Sequence, residues 1–193
     1  MAADLTRLLS EAAYQAYEKK LLREVQAGKV PNHLAIIMDG NRRFAQEWGL
    51  HTLDGHAKGK EKLEELLEWC LDVGVKILTV YAFSTENFDR NDVEVKALMQ
   101  LFKQNFYRVG DDERVHRHGI RVRVMGQRHL LPAEVQEAIK YAEGRTSQYS
   151  NYLFNLAVAY GGRQEIVDAI RTLVEDVVAG RVAVEEIDET AFA

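Results

Sequence analysis

Four short apolar runs alternate along this 193-residue chain with stretches whose apolar residues recur every third or fourth position. The runs lie at 34–38, 75–83, 120–125 and 152–159 and read as strands, the first buried and the third, where Arg121 and Arg123 alternate with apolar residues, half-exposed. Between them, Leu63, Leu66, Leu67, Cys70 and Leu71 share one helical face, and Val95, Leu98, Met99, Phe102, Phe106 and Val109 share another. Pro132 opens a further helical stretch to about Glu143, and one after Gly161-Gly162 carries Ile166, Ile170, Leu173 and Val177, expected inside. The alternation predicts an α/β fold, an open and mostly parallel sheet flanked by helices. Ligands of such folds bind beyond the carboxyl ends of the strands.

The length suits one domain. Residues 5–25 have helical spacing at Leu5, Leu8, Leu9, Ala12, Ala16 and Leu21, and Gly28 and Pro31 end that pattern. We therefore expect an N-terminal helical extension over 1–30 that docks on a single α/β domain over 31–193. The tail 185–190 reads as the start of another element.

Net charge is −5, which argues against a general nucleic-acid binder and requires any phosphate-handling positive charge to be local. Cys70 is the sole cysteine, so no disulfide can form within the chain, nor any cysteine-based metal cluster. Its place on an apolar helical face reads as a buried small hydrophobe. The first 30 residues are charged throughout, unlike a signal peptide, and no apolar run is long enough for a bilayer-spanning helix. The cytoplasm is the expected compartment, with peripheral contact at a membrane surface as a companion expectation.

The first run ends abruptly in Asp39-Gly40-Asn41-Arg42-Arg43. A strand followed by a turn into a helix places a carboxylate, unpaired amides and two arginines together. Asp39 reads either as a helix cap or as a ligand that holds Mg²⁺ against a diphosphate. The adjacent arginines, suited to phosphate oxygens, favour the second reading. The second run ends in Ser84-Thr85-Glu86-Asn87-Phe88-Asp89-Arg90, on the same sheet edge if the strands are parallel. Asp54-Gly55-His56 lies between these two clusters, and Tyr160-Gly161-Gly162-Arg163 turns the chain after the fourth run. No serine–histidine–acid or cysteine–histidine arrangement is evident, so the chemistry implied is departure or transfer of a phosphorylated group.

The segments 33–45, Gly55-His56, 81–88 and Asn155 with Tyr160-Gly161-Gly162-Arg163 resemble the cis-prenyltransferases in order and spacing. The resemblance implies elongation of an allylic prenyl diphosphate of farnesyl or geranylgeranyl type with isopentenyl diphosphate, with Mg²⁺ as cofactor. The product would be a long polyprenyl diphosphate, a glycosyl-carrier-lipid precursor. Asp39 would bind the metal and help the diphosphate leave, and Asn87 would act on the proton removed from the condensing carbons. Gly40, Asn41, Arg42 and Arg43 would cradle the diphosphate, and His56 would contact phosphate. Phe44 and Phe88 would stand for family aromatics of the pocket. Ser84 and Arg90, with Asn87, would surround the reacting carbons, Thr85 and Glu86 would bind substrate, and Glu94 would lie at the pocket's edge. Thr52 occupies a position where the family has a phosphate-binding arginine.

The family also continues for about one more strand and helix, bearing an isopentenyl-diphosphate motif and much of a homodimer interface. Nothing after Gly161-Gly162-Arg163 matches that motif, so the chain is expected to be C-terminally incomplete relative to the family. A non-catalytic prenyl-diphosphate-binding subunit is the alternative reading. A phosphohydrolase with Asp39 as nucleophile is a third, and Asn41, standing where such enzymes place a second acid, argues against it. Val95, Leu98, Met99, Phe102 and Phe106 are candidates for the lining of a prenyl tunnel, though their spacing equally suits core.

Overall fold

The computed structural model describes residues 2–188 and 191, and for 2–12 the backbone alone. Helix α1 (Ala2–Ala27) precedes strand β1 (His33–Ile37), α2 (Asn41–Glu47) and α3 (Thr52–Val73). Strand β2 (Ile77–Ser84), a 3₁₀ segment (Thr85–Asp89), α4 (Asp92–Asp111), α5 (Glu113–His118) and β3 (Ile120–Met125) follow. The described chain continues through α6 (Ala133–Thr146), β4 (Tyr152–Tyr160) and α7 (Gly162–Val178). Residues 184–186 of the expected tail element form a short 3₁₀ turn, and 189–190 lie outside the described residues.

All strand pairs are parallel, in the order β1-β2-β4-β3. Successive side chains along a strand point to opposite faces. On one face Leu78 and Val80 of β2, Ile120 and Val122 of β3 and Phe154 of β4 pack with Cys70, Leu63, Leu66 and Leu67 of α3. Burial pushes the Cys70 thiol pKa up, in keeping with an inert core residue. A second cluster joins Leu98, Met99 and Phe106 of α4 to Val135, Ala138, Ile139 and Ala142 of α6. A fully buried Val, Leu, Ile, Phe or Met side chain contributes about 1.5–3 kcal/mol of transfer free energy.

Helix α6 also shields the outer edge of β3. The Val122 amide donates to Thr146 Oγ1 at 3.1 Å, and the Val124 amide donates to Glu143 Oε1 at 2.9 Å. An open sheet edge is thereby closed to strand addition.

Two sequence expectations need correction. Helix α5 had no counterpart in the reading; at six residues it is too short to show periodicity, and it depends on the Asp112 cap and Gly119 at its end. Helix α7 does not carry its apolar face inside: Ile166 and Ile170 are 52% and 48% exposed, and none of its residues is buried. Amphipathic spacing shows that a face suits burial, whereas burial needs a second element against it.

Candidate active site

The carboxyl ends of β1 and β2 meet at a cleft of ≈ 500 Å³. Pairing persists one residue past β1, because the Met38 amide donates to the Tyr81 carbonyl at 3.1 Å. Gly40 then takes φ 90°, a left-handed conformation that costs glycine little, and releases the chain into α2. Its amide donates to Asp39 Oδ1 at 2.6 Å, and Arg43 Nη2 donates to Asp39 Oδ2 at 2.9 Å. Asp39 therefore stands at the mouth with its side chain 77% exposed, and Arg43 is fixed beside it.

The loop is seated by α3. A Cβ on Gly55 would stand 2.3 Å from the Asn41 carbonyl oxygen, and one on Gly59 would stand 2.5 Å from Asn41 Oδ1. Two glycines one helical turn apart thus let the start of α2 sit directly on α3.

On the β2 side, the strand register shifts between Tyr81 and Phe83. Bulges re-aim side chains next to sites; here Phe83 turns into the core and Ser84 lines the cleft. The Ser84 amide donates to Asn87 Oδ1 at 3.0 Å. With that oxygen occupied, the Asn87 carboxamide offers its NH₂ group, a donor and not a base.

Behind the wall of the cleft lies Glu94. Its Oε1 accepts from His56 Nε2 at 3.1 Å and from Arg90 Nη1 at 3.1 Å, and its Oε2 is 3.9 Å from Arg42 Nε. Burial pushes the Glu94 carboxyl up, but the hydrogen bond from His56 and the charges of Arg42 and Arg90 outweigh it and hold the carboxyl below the usual range.

Asp39, Gly40, Asn41, Arg42, Arg43, His56, Ser84, Asn87 and Arg90 therefore line one cleft. Phe44, Thr52, Thr85, Glu86 and Phe88 lie off its lining. The turn of α2 carries the Phe44 ring outward to within 5.9 Å of Trp48, while the next residue, Ala45, is buried. Phe88 packs edge-on against Phe83 at 4.9 Å. Gln46 lines the cleft without having been singled out, and Tyr81, which opens the matching segment 81–88, lines it as well; the Tyr81 hydroxyl donates to the Tyr160 carbonyl at 3.0 Å and ties two strand ends together.

An apolar cavity of ≈ 140 Å³ adjoins the cleft between α3 and α4, and Met38, Asn41, His56, Ala82 and Leu98 belong to both. Its deeper wall includes Leu63, Leu67, Phe102, Phe106 and Phe154. Of the tunnel candidates, Leu98, Phe102 and Phe106 line it, while Val95 and Met99 pack in the α4–α6 core. No helix among the described residues is long and apolar enough to cross a membrane.

The protein-family model "Prenyltransf: Putative undecaprenyl diphosphate synthase" matches residues 37–193. A protein of Pyrococcus abyssi named tritrans,polycis-undecaprenyl-diphosphate synthase (geranylgeranyl-diphosphate specific) is 52% identical over 95% of this chain and 69% of its own length. Its namesake from Pyrococcus furiosus is 54% identical over 92% of this chain and 67% of its own. Among solved structures, lavandulyl diphosphate synthase from Lavandula x intermedia, in complex with dimethylallyl diphosphate, superposes with a TM-score of 0.78. It is 34% identical, with 88% of this chain and 70% of that one covered. Fold superposition and sequence agree: this chain belongs to the undecaprenyl diphosphate synthase family, the cis-prenyltransferases, and is a transferase of prenyl-chain elongation.

Proposed function

We propose that this chain condenses isopentenyl diphosphate in cis onto an allylic diphosphate of geranylgeranyl type and makes a long polyprenyl diphosphate, a precursor of a glycosyl-carrier lipid. The observation that carries this reading is the continuity between a cleft walled by Arg42, Arg43, His56 and Arg90 and an apolar cavity that shares Met38, Ala82 and Leu98 with it. An allylic diphosphate has that same division, an anionic head on an apolar chain. The geranylgeranyl specificity in the relatives' names supports this primer over farnesyl.

Arg42 and Arg43 would meet the primer's diphosphate at the cleft mouth, with Asn41 held against α3 beneath them. Asp39, a single exposed carboxylate beside those arginines, fits Mg²⁺, which is held by one or two carboxylates together with substrate phosphates. The ion would neutralise charge that develops on the departing diphosphate. As the allylic C–O bond breaks, the arginines stabilise the same charge, and preorganised donors act most strongly there. The double bond of isopentenyl diphosphate then attacks the allylic carbon, and a proton leaves its neighbouring carbon. Asn87, with its oxygen engaged by the Ser84 amide, orients this centre through its NH₂ group, and a diphosphate oxygen is the stronger base for the proton.

The test is incubation with Mg²⁺, labelled isopentenyl diphosphate and geranylgeranyl diphosphate. Extractable labelled polyprenyl product that is lost in Asp39→Ala is expected. Phosphate release without elongation would overturn the reading in favour of a phosphohydrolase, and primer binding with neither reaction in favour of a binding subunit.

A further inference from the structure

Three cationic or titratable side chains of the cleft come from three separate segments: Arg42 from the start of α2, His56 from α3, and Arg90 from the end of the 3₁₀ segment. All three converge on Glu94 in the first turn of α4, which is itself not part of the cleft wall. The Glu94 and His56 side chains are 11% and 10% exposed, whereas Arg42 is half-exposed and lies beyond hydrogen-bond distance of the carboxylate. A carboxylate so close to an anion site would repel the ligand if it faced it. Withdrawn behind two arginines and an imidazole, it offsets their mutual repulsion and leaves the cluster one positive charge in excess with His56 neutral.

The hydrogen bond has a second consequence. Ionised Glu94 only accepts, so the shared proton belongs to His56 Nε2. The ring is thereby fixed in tautomer and orientation, as a second layer of partners does for functional histidines. A role for Glu94 as the base of the reaction is disfavoured on two counts: it stands outside the wall, and its neighbours hold it ionised below the usual carboxylate range.

We propose that Glu94 is a positioning residue, which holds His56, Arg90 and Arg42 as one cationic wall for the substrate diphosphate. This rests on the reading of the cleft as the diphosphate site. Lys60, one helical turn along α3, and Glu64 are further charged groups in the wall of the apolar cavity that His56 also lines, and Asp39 and Arg43 share the cleft with it.

The test compares the intact chain with Glu94→Gln and Glu94→Asp. Glu94→Gln keeps the shape and removes the charge. Binding of inorganic pyrophosphate in the presence of Mg²⁺ is measured by calorimetry, and the His56 ring tautomer is followed by NMR. Glu94→Gln is expected to weaken pyrophosphate binding about 10- to 100-fold, the range seen when partners behind a functional layer are removed. It is also expected to release the His56 ring from a single tautomer, because a carboxamide can donate to the ring nitrogen as well as accept from it. Glu94→Asp, which keeps the charge on a shorter arm, should fall between. A merely structural Glu94 would shift the thermal midpoint and leave the His56 tautomer in place. Pyrophosphate affinity within twofold of the parent, or an unchanged His56 tautomer, overturns the proposal. Because neither readout uses turnover, a parent chain that binds pyrophosphate but does not elongate overturns the proposed function and leaves this inference standing.

Discussion

Asn41 Oδ1 occupies the space beside Gly59 so closely that a Cβ there would stand 2.5 Å away. The residue that starts α2 is therefore held by the absence of a side chain on α3. Gly59→Ala must push the Asn41 carboxamide aside, and that side chain can move. The expected result is a raised KM for the allylic diphosphate with a nearly unchanged thermal midpoint. Gly55→Ala is the harsher change, because its Cβ would meet the Asn41 backbone oxygen at 2.3 Å and Ala45 at 3.0 Å. Overpacking against backbone costs about 1–3 kcal/mol, so this variant should lose both stability and activity. Steady-state kinetics and denaturant titration of the pair check the contrast.

Asp39→Ala should abolish elongation while leaving the fold intact. Its pair with Arg43 is solvent-exposed on both sides, and such pairs contribute roughly 0–1 kcal/mol. Product formation from labelled isopentenyl diphosphate measures the first effect, and urea unfolding the second. A large fall in stability would show that Asp39 is chiefly a structural cap.

Phe102 walls the apolar cavity and is also stacked edge-on against Phe83 at 5.9 Å. Phe102→Ala enlarges the space for a growing chain, and longer products are expected by chromatography of the extracted lipids. Phenylalanine truncation in a full core costs about 3–5 kcal/mol, and the loss at this half-buried position should fall at or below the lower end. Leu98→Trp, at the junction of cleft and cavity, should shorten products or stop elongation after few additions.

Asp112 makes acid stability testable away from the cleft. Its carboxylate accepts from the Arg114 guanidinium at 2.7 Å and from the Arg114 amide at 2.8 Å, which caps α5. The Arg114 hydrogen bond holds the Asp112 carboxyl below its usual range, against burial, which pushes it up. A carboxyl lowered by folding contributes stability that is complete above the unfolded value, about 3.9, and is lost as pH falls through the lowered folded value. Asp112→Asn retains a good cap and loses the charge. Its unfolding free energy should therefore fall less than the parent's as pH drops below about 4. Urea titrations across that window measure the difference.

Much of this fold is written in local patterns. The strands at 120–125 and 152–159 emerge within a residue or two, because periodicity acts over a few positions. The site was legible to the extent that strand ends in a parallel sheet share an edge, which brought Asp39, Ser84, Asn87 and Arg90 together before any coordinates. Phe44 and Phe88 were harder, since the facing of a side chain one residue past a motif depends on how its helix or turn is rotated. Glu94 was placed only at the pocket's edge; its bond to His56 spans 38 residues, and no local pattern encodes such a distance.

By itself the sequence determined the alternation of strands and helices apart from α5, the parallel sheet edge, the Asp39-Gly40-Asn41-Arg42-Arg43 turn and the family. Each of these rests on short-range stereochemistry or on residues adjacent in the chain. Only the tertiary structure decided how Gly55 and Glu94 serve the same cleft, one by making room for α2 and the other by drawing two arginines and a histidine together. It also decided that the apolar face of α7 is uncovered among the described residues. Burial, close approach and charge pairing are properties of two surfaces in contact, and a sequence pattern specifies one surface at a time.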